Sequence, residues 1–265
     1  VNIAGGGAQS IGGAVVLGGA GGKGGANATG GNTANLPAVT VYIAGDSIVS
    51  TYTDTAATND QAGWGQMLPP LFNSKVTFVN RAAGGRTAYW FYLEGALQKI
   101  LSTLKAGDYL LIEFGTNDQN TTATFEVDGT TYPRLAEPAL FKTQLKQYYL
   151  DPVKAKGATP VLVTPPPRNS AYCNGGNGLS AYATAMLELG AAENVYVIDN
   201  NAKTYAYVKA ICPKPTTAAD EKFFFGKSDG TIDGTHFQEK GARTMAGFIA
   251  DGVRASGLTL AGYLL

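Results

Sequence analysis

The feature that most restricts the fold of this 265-residue chain is an alternation of two textures. Five short runs of β-branched and aromatic residues read as strands: Thr40–Ala44, Val76–Asn80, Tyr109–Phe114, Pro160–Thr164 and Val195–Asp199. Helical patterns lie between them over Trp64–Phe72, Leu93–Leu104, Pro138–Lys156, Leu179–Leu189 and Asn201–Ala210, and Gln238–Ser256 closes the chain as a long amphipathic helix. Continuous apolar runs suit strands buried on both faces. The alternation therefore predicts an α/β fold, a three-layer doubly wound sandwich on a five-stranded parallel sheet. Sheets of that kind bind ligands outside the carboxyl ends of their strands.

Composition narrows the function classes. Basic and acidic residues both number 20, so the net charge is zero, and no basic face invites nucleic acid. No apolar run approaches the roughly 18 to 20 residues of a membrane span. Charged residues make up only 15%, below the roughly 25% of ordinary soluble domains. Residues 1–38 form a separate glycine-rich extension, with 13 glycines in the first 31 positions, ahead of a domain over 39–265. Glycine at that density makes a long helix costly and leaves few side chains to pack. Lys23 is followed by Gly, so a phosphate loop is not expected there.

Two cysteines, Cys173 and Cys212, and one histidine cannot furnish a structural zinc site, and no metal or other cofactor is expected. A Cys173–Cys212 disulfide would close a loop of about 40 residues, worth roughly 3 to 4 kcal/mol. It would place the protein in an oxidising compartment. The chain starts at Val1 rather than Met, so a mature, secreted form freed of its leader is the expectation.

Polar and glycine-rich turns gather where the first four strands end. Strand one runs into Gly45-Asp46-Ser47, strand two into Arg81-Ala82-Ala83-Gly84-Gly85-Arg86, strand three into Gly115-Thr116-Asn117-Asp118, and strand four into three prolines and Arg168. A serine on such a turn has an exposed hydroxyl but is a poor nucleophile without a base and an orienting acceptor behind it. His236 is the only histidine in the chain, so it alone can be an imidazole base. Asp233 and Asp229 both precede it closely enough to accept from its far nitrogen, and Gly234 relaxes the backbone between. The backbone N–H groups of Ser47 and Gly85 and the side-chain amide of Asn117 are candidate donors to a tetrahedral oxyanion. Read without chemistry, Ser47 is a helix N-cap, His236 a half-buried surface residue and Asn117 the head of an Asx-turn.

Taken in order, G-D-S at 45–47, A-A-G-G-R at 82–86, G-T-N-D at 115–118 and D-G-T-H at 233–236 resemble the motifs of the GDSL-type, or SGNH, hydrolases. T-V-Y-I-A-G-D-S, G-W-G at 63–65 and D-G-T-H-F resemble more narrowly the rhamnogalacturonan acetylesterase branch. The resemblance spans about Thr40 to Val253. It implies the flavodoxin-like SGNH hydrolase fold, with Ser47 as nucleophile, His236 as base, Asp233 rather than Asp229 behind it, and an oxyanion hole of Ser47, Gly85 and Asn117. Asp46 and Asp118 are read as turn-holding residues. Arg86, Tyr89, Thr116 and Arg168 are candidate substrate contacts, with Arg86 read foremost as a brace of the second turn and otherwise as a contact to an acidic sugar, and Thr116 departs from the histidine often found there. The implied function is a serine esterase, a monomer that removes acetyl groups from a polysaccharide or oligosaccharide of the plant cell wall. Alternatives are an acetylxylan esterase, a short-chain carboxylesterase or arylesterase of the same superfamily, and a non-catalytic carbohydrate-binding protein on this scaffold.

Overall fold

A computed structural model of the chain describes residues 36–53, 61–168, 177–211 and 233–265. The glycine-rich stretch up to residue 35, both cysteines of the expected disulfide and Asp229 lie outside the described residues. Five strands form one parallel sheet: β1 (Val39–Gly45), β2 (Val76–Asn80), β3 (Tyr109–Glu113), β6 (Thr159–Val163) and β7 (Val197–Ile198). Their spatial order is β2-β1-β3-β6-β7, with Val41 paired to Tyr109 and Val39 to Val76. From β1 the chain steps outward to β2, then crosses back to β3 on the other side of β1. That reversal opens a crevice beyond the carboxyl ends of β1 and β3.

Alternate residues of the strands feed two separate cores. Val41, Ile43, Leu111, Val161 and Val163 face α1 (Trp64–Met67) and the carboxyl-terminal helix α8 (Glu239–Ala255). Tyr42, Ala44, Leu110, Ile112 and Leu162 face α2 (Ala88–Leu93), α3 (Ala96–Leu101), α4 (Pro138–Gln144), α5 (Asp151–Ala155) and α6 (Ser180–Glu193). Helix α7 (Asn200–Ile211) adds Val208 to the first core. Burial on both faces is the reason the central strands are apolar through their middles.

Several local departures have physical causes. The expected helix over Pro138–Lys156 is continuous, but its middle, Leu145–Leu150, is wound as a π-helix. Pro152 follows directly, lacks an N–H and crowds the preceding turn, and a widened turn accommodates it. Tyr89–Tyr92 lie in α2, ahead of the helix expected from Leu93, and Gly95 (φ +78°) separates α2 from α3. A hairpin of β4 (Thr124–Val127) and β5 (Thr130–Pro133) turns through Asp128 and Gly129, both left-handed at φ +50° and +75°. It covers α2, stacking Phe125 on Trp90 at 4.9 Å between ring centres.

The first residues of α1 explain the G-W-G sequence. A side chain at Gly63 would run into the backbone of Val49 and Ser50, and one at Gly65 would lie 2.5 Å from Val49 O. Between them Trp64 is fully buried, donating its backbone N–H to Ile48 O at 3.0 Å and its indole N–H to Glu113 Oε2 at 2.9 Å. Helix α1 is thus pressed backbone to backbone against the turn after β1. Since the nearest obstructing atom, Val49 O, is main chain and cannot swing aside, Gly65→Ala is expected to destabilise the protein by about 1 to 3 kcal/mol. Urea unfolding reads the loss directly; an unchanged midpoint would show that α1 can retreat freely.

Candidate active site

Ser47 occupies the turn that ends β1. Asp46 O accepts the N–H groups of Val49 and Ser50, at 3.2 and 3.1 Å, and Asp46 Oδ1 accepts from Ile48 N at 2.9 Å. The Tyr52 hydroxyl donates to Ser47 O at 2.9 Å. Burial, followed by the charges of Asp46 and Asp233, pushes that phenol up, so it remains a donor. With its main chain fixed from both sides, Ser47 reaches His236 Nε2 with Oγ at 2.9 Å.

The histidine stands on the loop before α8. Asp233 Oδ1 accepts the backbone N–H groups of Thr235 and His236, both at 2.6 Å, and meets His236 Nδ1 at 3.2 Å. Partial burial works to raise the Asp233 pKa, but the two backbone N–H groups and then the imidazole outweigh it and hold the carboxyl below its usual range. An ionised acceptor at Nδ1 fixes the tautomer: Nδ1 carries the proton and Nε2 is left to accept one from Ser47. The loop is itself anchored, for Ala62 N donates to Phe237 O at 2.8 Å and Gln61 bridges Gln238.

Two more loops complete the crevice. After β2, Ala83 N donates to Gly45 O at 3.0 Å, and Gly85 turns with φ +79°, a conformation that glycine adopts without strain. After β3, Asn117 Nδ2 donates to Arg86 O at 3.0 Å and more weakly to Asp46 Oδ2 at 3.4 Å. No described acceptor takes the backbone N–H of Ser47 or of Gly85. Ser47, Tyr52, Gln61, Gly84, Gly85, Asn117, Arg168, Thr235 and His236 line one cleft of about 480 Å³. A larger depression of about 590 Å³, lined by Thr40, Ser102 and Asp108 among others, sits at the opposite end of the strands and holds no such nucleophile and base.

The remaining candidates divide. Arg168 lines the cleft, its Nη2 donating to Thr116 O at 3.0 Å. Arg86 is turned away into a bidentate pair with Glu94 and lies 4.6 Å over the Trp90 ring. Tyr89 is held among Tyr92, Tyr132 and Tyr148 and is not part of the cleft lining. Thr116 is 2% exposed, with its hydroxyl beside the Asp46 carboxyl. Tyr52 and Gln61 are cleft residues that no motif announced.

The chain is similar to known proteins. Residues 43–244 match the GDSL-like Lipase/Acylhydrolase family. The chain is 38% identical to the probable rhamnogalacturonan acetylesterase YesY of Bacillus subtilis, over 83% of this chain and 94% of that one. It is 36% identical to the rhamnogalacturonan acetylesterase RhgT of the same organism, over 86% and 94%. The crystal structure of Bacillus subtilis YxiM superposes with a TM-score of 0.68 at 30% identity, covering 83% of this chain and 57% of that one.

Three fully buried carboxyl groups lie beneath the cleft. Burial pushes Asp46 up to about 7, against the Ile48 N–H, the Thr116 hydroxyl and the Arg168 charge, which favour ionisation. Burial likewise lifts Asp118 to about 7, although it accepts from Ala88 and Gly115 N–H. Glu113 is raised well above its usual range by burial and then by Asp46; Trp64 and Asn200 pull the other way, and its Oε1 has no hydrogen-bond partner among the described residues. Raised carboxyl pKa values mean that the folded chain holds protons the unfolded chain has released. Stability from these groups is therefore full below the ordinary carboxylate range and is lost as pH rises through about 7. Urea midpoints are expected to be higher at pH 5 than at pH 8. Glu113→Gln, which keeps an acceptor for Trp64 but cannot ionise, should narrow that difference, and an unaltered difference would mean that Glu113 does not titrate in this range.

Proposed function

Because the chain belongs to the GDSL-like lipase/acylhydrolase family, we propose that it is a serine esterase that removes O-acetyl groups from rhamnogalacturonan-type pectin. The observation that carries this reading is the continuous hydrogen-bonded chain Ser47–His236–Asp233 at the mouth of a polar cleft. The substrate class is supported by the two acetylesterase relatives, each similar over most of its length.

In this mechanism Ser47 Oγ attacks the acetyl carbonyl as its proton passes to His236 Nε2 across the 2.9 Å bond. Asp233 stays ionised and stabilises the imidazolium that forms. The developing oxyanion takes the open N–H groups of Ser47 and Gly85, and Asn117 exchanges its weak 3.4 Å bond to Asp46 for one to the oxyanion. Arg86 O holds the Asn117 amide in place during that exchange. His236 then protonates the departing sugar alkoxide, and water, activated by the same imidazole, clears the acetyl-enzyme.

Acetate release from acetylated rhamnogalacturonan, acetylated xylan and 4-nitrophenyl acetate tests both the chemistry and the substrate. Wild type should prefer the first, and Ser47→Ala should lose about 10⁴-fold or more in kcat on every one. Retained turnover in Ser47→Ala would end the proposed mechanism, and a preference for xylan would end the proposed substrate. Asn117→Ala should cost about 10² to 10³ in kcat with little change in KM, as expected of a donor used in the transition state. Asp233 holds two backbone N–H groups as well as the imidazole, so Asp233→Ala should lower both kcat and the melting temperature. His236→Ala should lower kcat alone; a matching loss of stability would mean that the imidazole also braces the loop.

A further inference from the structure

Arg168 belongs to two cavities. It lines the cleft with Ser47 and His236, and it also lines an adjoining open depression of about 390 Å³ whose other walls are Gln119, Asn120, Thr121 and Thr122. Those walls offer amides and hydroxyls and no aliphatic side chain larger than the threonine methyl, a surface suited to sugar hydroxyls rather than to an acyl tail.

The partners of the guanidinium are all neutral. Nη2 donates to Thr116 O at 3.0 Å and Nη1 to Thr235 Oγ1 at 3.4 Å. With the Gln119 amide oriented to satisfy both of its ends, its oxygen accepts from Arg168 Nε at 3.1 Å. Arg86, Arg243 and Arg254 are each paired with a carboxylate; Arg168, like Arg81 and Arg134, has none within ion-pair distance among the described residues, and the buried Asp46 acts on it only from farther away. A guanidinium has five N–H donors, so these three bonds leave one on each terminal nitrogen. The charge is therefore held at the cleft with one N–H left on each terminal nitrogen, the number of donors that a carboxylate takes up in a bidentate pair.

We propose that Arg168 and the Gln119–Thr122 depression form a subsite for an acidic sugar of the substrate chain, the uronate carboxylate pairing with the Arg168 guanidinium. The proposal deepens the esterase reading and rests on it for the direction of the chain through the cleft. It gives a zero-charge protein a means of selecting an anionic polymer. One placed charge does the selecting, without a broad basic field.

The test separates binding from turnover by using the Ser47→Ala protein. Calorimetric titration with a deacetylated rhamnogalacturonan tetrasaccharide and with xylotetraose compares an acidic and a neutral probe of equal length. Adding Arg168→Gln should weaken the acidic probe by about 10- to 100-fold, the scale of one charge-assisted pair, and leave the weak neutral binding unaltered. Thr121→Asp should weaken the acidic probe and Thr121→Lys should tighten it, a dependence on sign that a purely structural role would not produce. Added salt should erode the preference for the acidic probe. Equal losses on both probes, no loss with Arg168→Gln, the same response to Asp and Lys at position 121, or no binding of the acidic probe at all would each overturn the subsite. If Arg168→Gln does not fold, the Thr121 pair decides alone. Hydrolysis of 4-nitrophenyl acetate by the otherwise wild-type enzyme reports on Ser47 separately, so failure of the esterase reading and failure of the subsite give different results.

Discussion

Asp118 accepts the backbone N–H of Gly115 in its own loop at 2.9 Å and that of Ala88, the first residue of α2, at 3.0 Å. Its own carbonyl accepts from Ala136 N at 2.9 Å and from the Tyr182 hydroxyl at 3.0 Å. A single fully buried residue thereby fixes the loop after β3 against the end of the loop after β2. The site needs that junction, because Asn117 and Gly85 come from those two loops and must aim at one point. Buried polar groups are costly unless paired, so any movement that separated the loops would leave the Ala88 N–H and one oxygen of the Asp118 carboxyl unsatisfied. That penalty keeps three chain segments, distant in sequence, in one arrangement.

The nucleophile turn is secured differently, by close approach rather than by polar pairing. Gly45 has no room for a side chain, with Val49 Cγ2 at 2.6 Å and Glu113 O at 2.9 Å from the place it would occupy. Gly63 and Gly65 bring α1 onto the same turn from the other side, and Asn80 ties it to β2 through Val49 O at 2.8 Å. Trp64 fills the space beneath, with Glu113 receiving its indole N–H at the end of the central strand. A serine whose backbone is packed on all sides loses little entropy when it attacks, which is the advantage of building a nucleophile on rigid elements.

The strands were legible because burial on both faces leaves an unbroken apolar signature that few other structures share. Val76–Asn80 coincides with its expected bounds, whereas β7 shrinks to Val197–Ile198 at the sheet edge, where fewer neighbours demand regular pairing. The β4–β5 hairpin has a signal in Asp128-Gly129, a two-residue turn between Thr124–Val127 and Thr130–Pro133, but strands this short and polar lack the apolar runs that mark the parallel sheet. Helix α2 was harder. Four successive aromatics suit no single helix face, and they are accommodated only because the hairpin, Tyr148 and Phe114 supply partners on several sides. For the site, the motifs mark residues whose chemistry restricts their type. Tyr52 and Gln61 escape notice because tyrosine and glutamine on a loop have no spacing that distinguishes them from solvent-facing residues, and only the folded chain brings them to the cleft.

Two aspartates near one serine titrate in opposite directions, and the difference assigns their work. Asp233 is only partly buried and accepts two backbone N–H groups at 2.6 Å, so it keeps its charge beside the imidazole. Asp46 is fully buried, and its one short backbone bond to Ile48 does not offset the loss of water, so its charge is disfavoured. Had Asp46 been as firmly ionised as Asp233, a full negative charge would stand 3.4 Å from the Asn117 amide and compete with an oxyanion for the same donor. Burial weakens that competitor, while the carboxyl still holds the turn through Ile48. The same residue type thus serves as a permanent anion behind the base and as a weakly ionised brace beneath the oxyanion site, and its surroundings, not its identity, decide which.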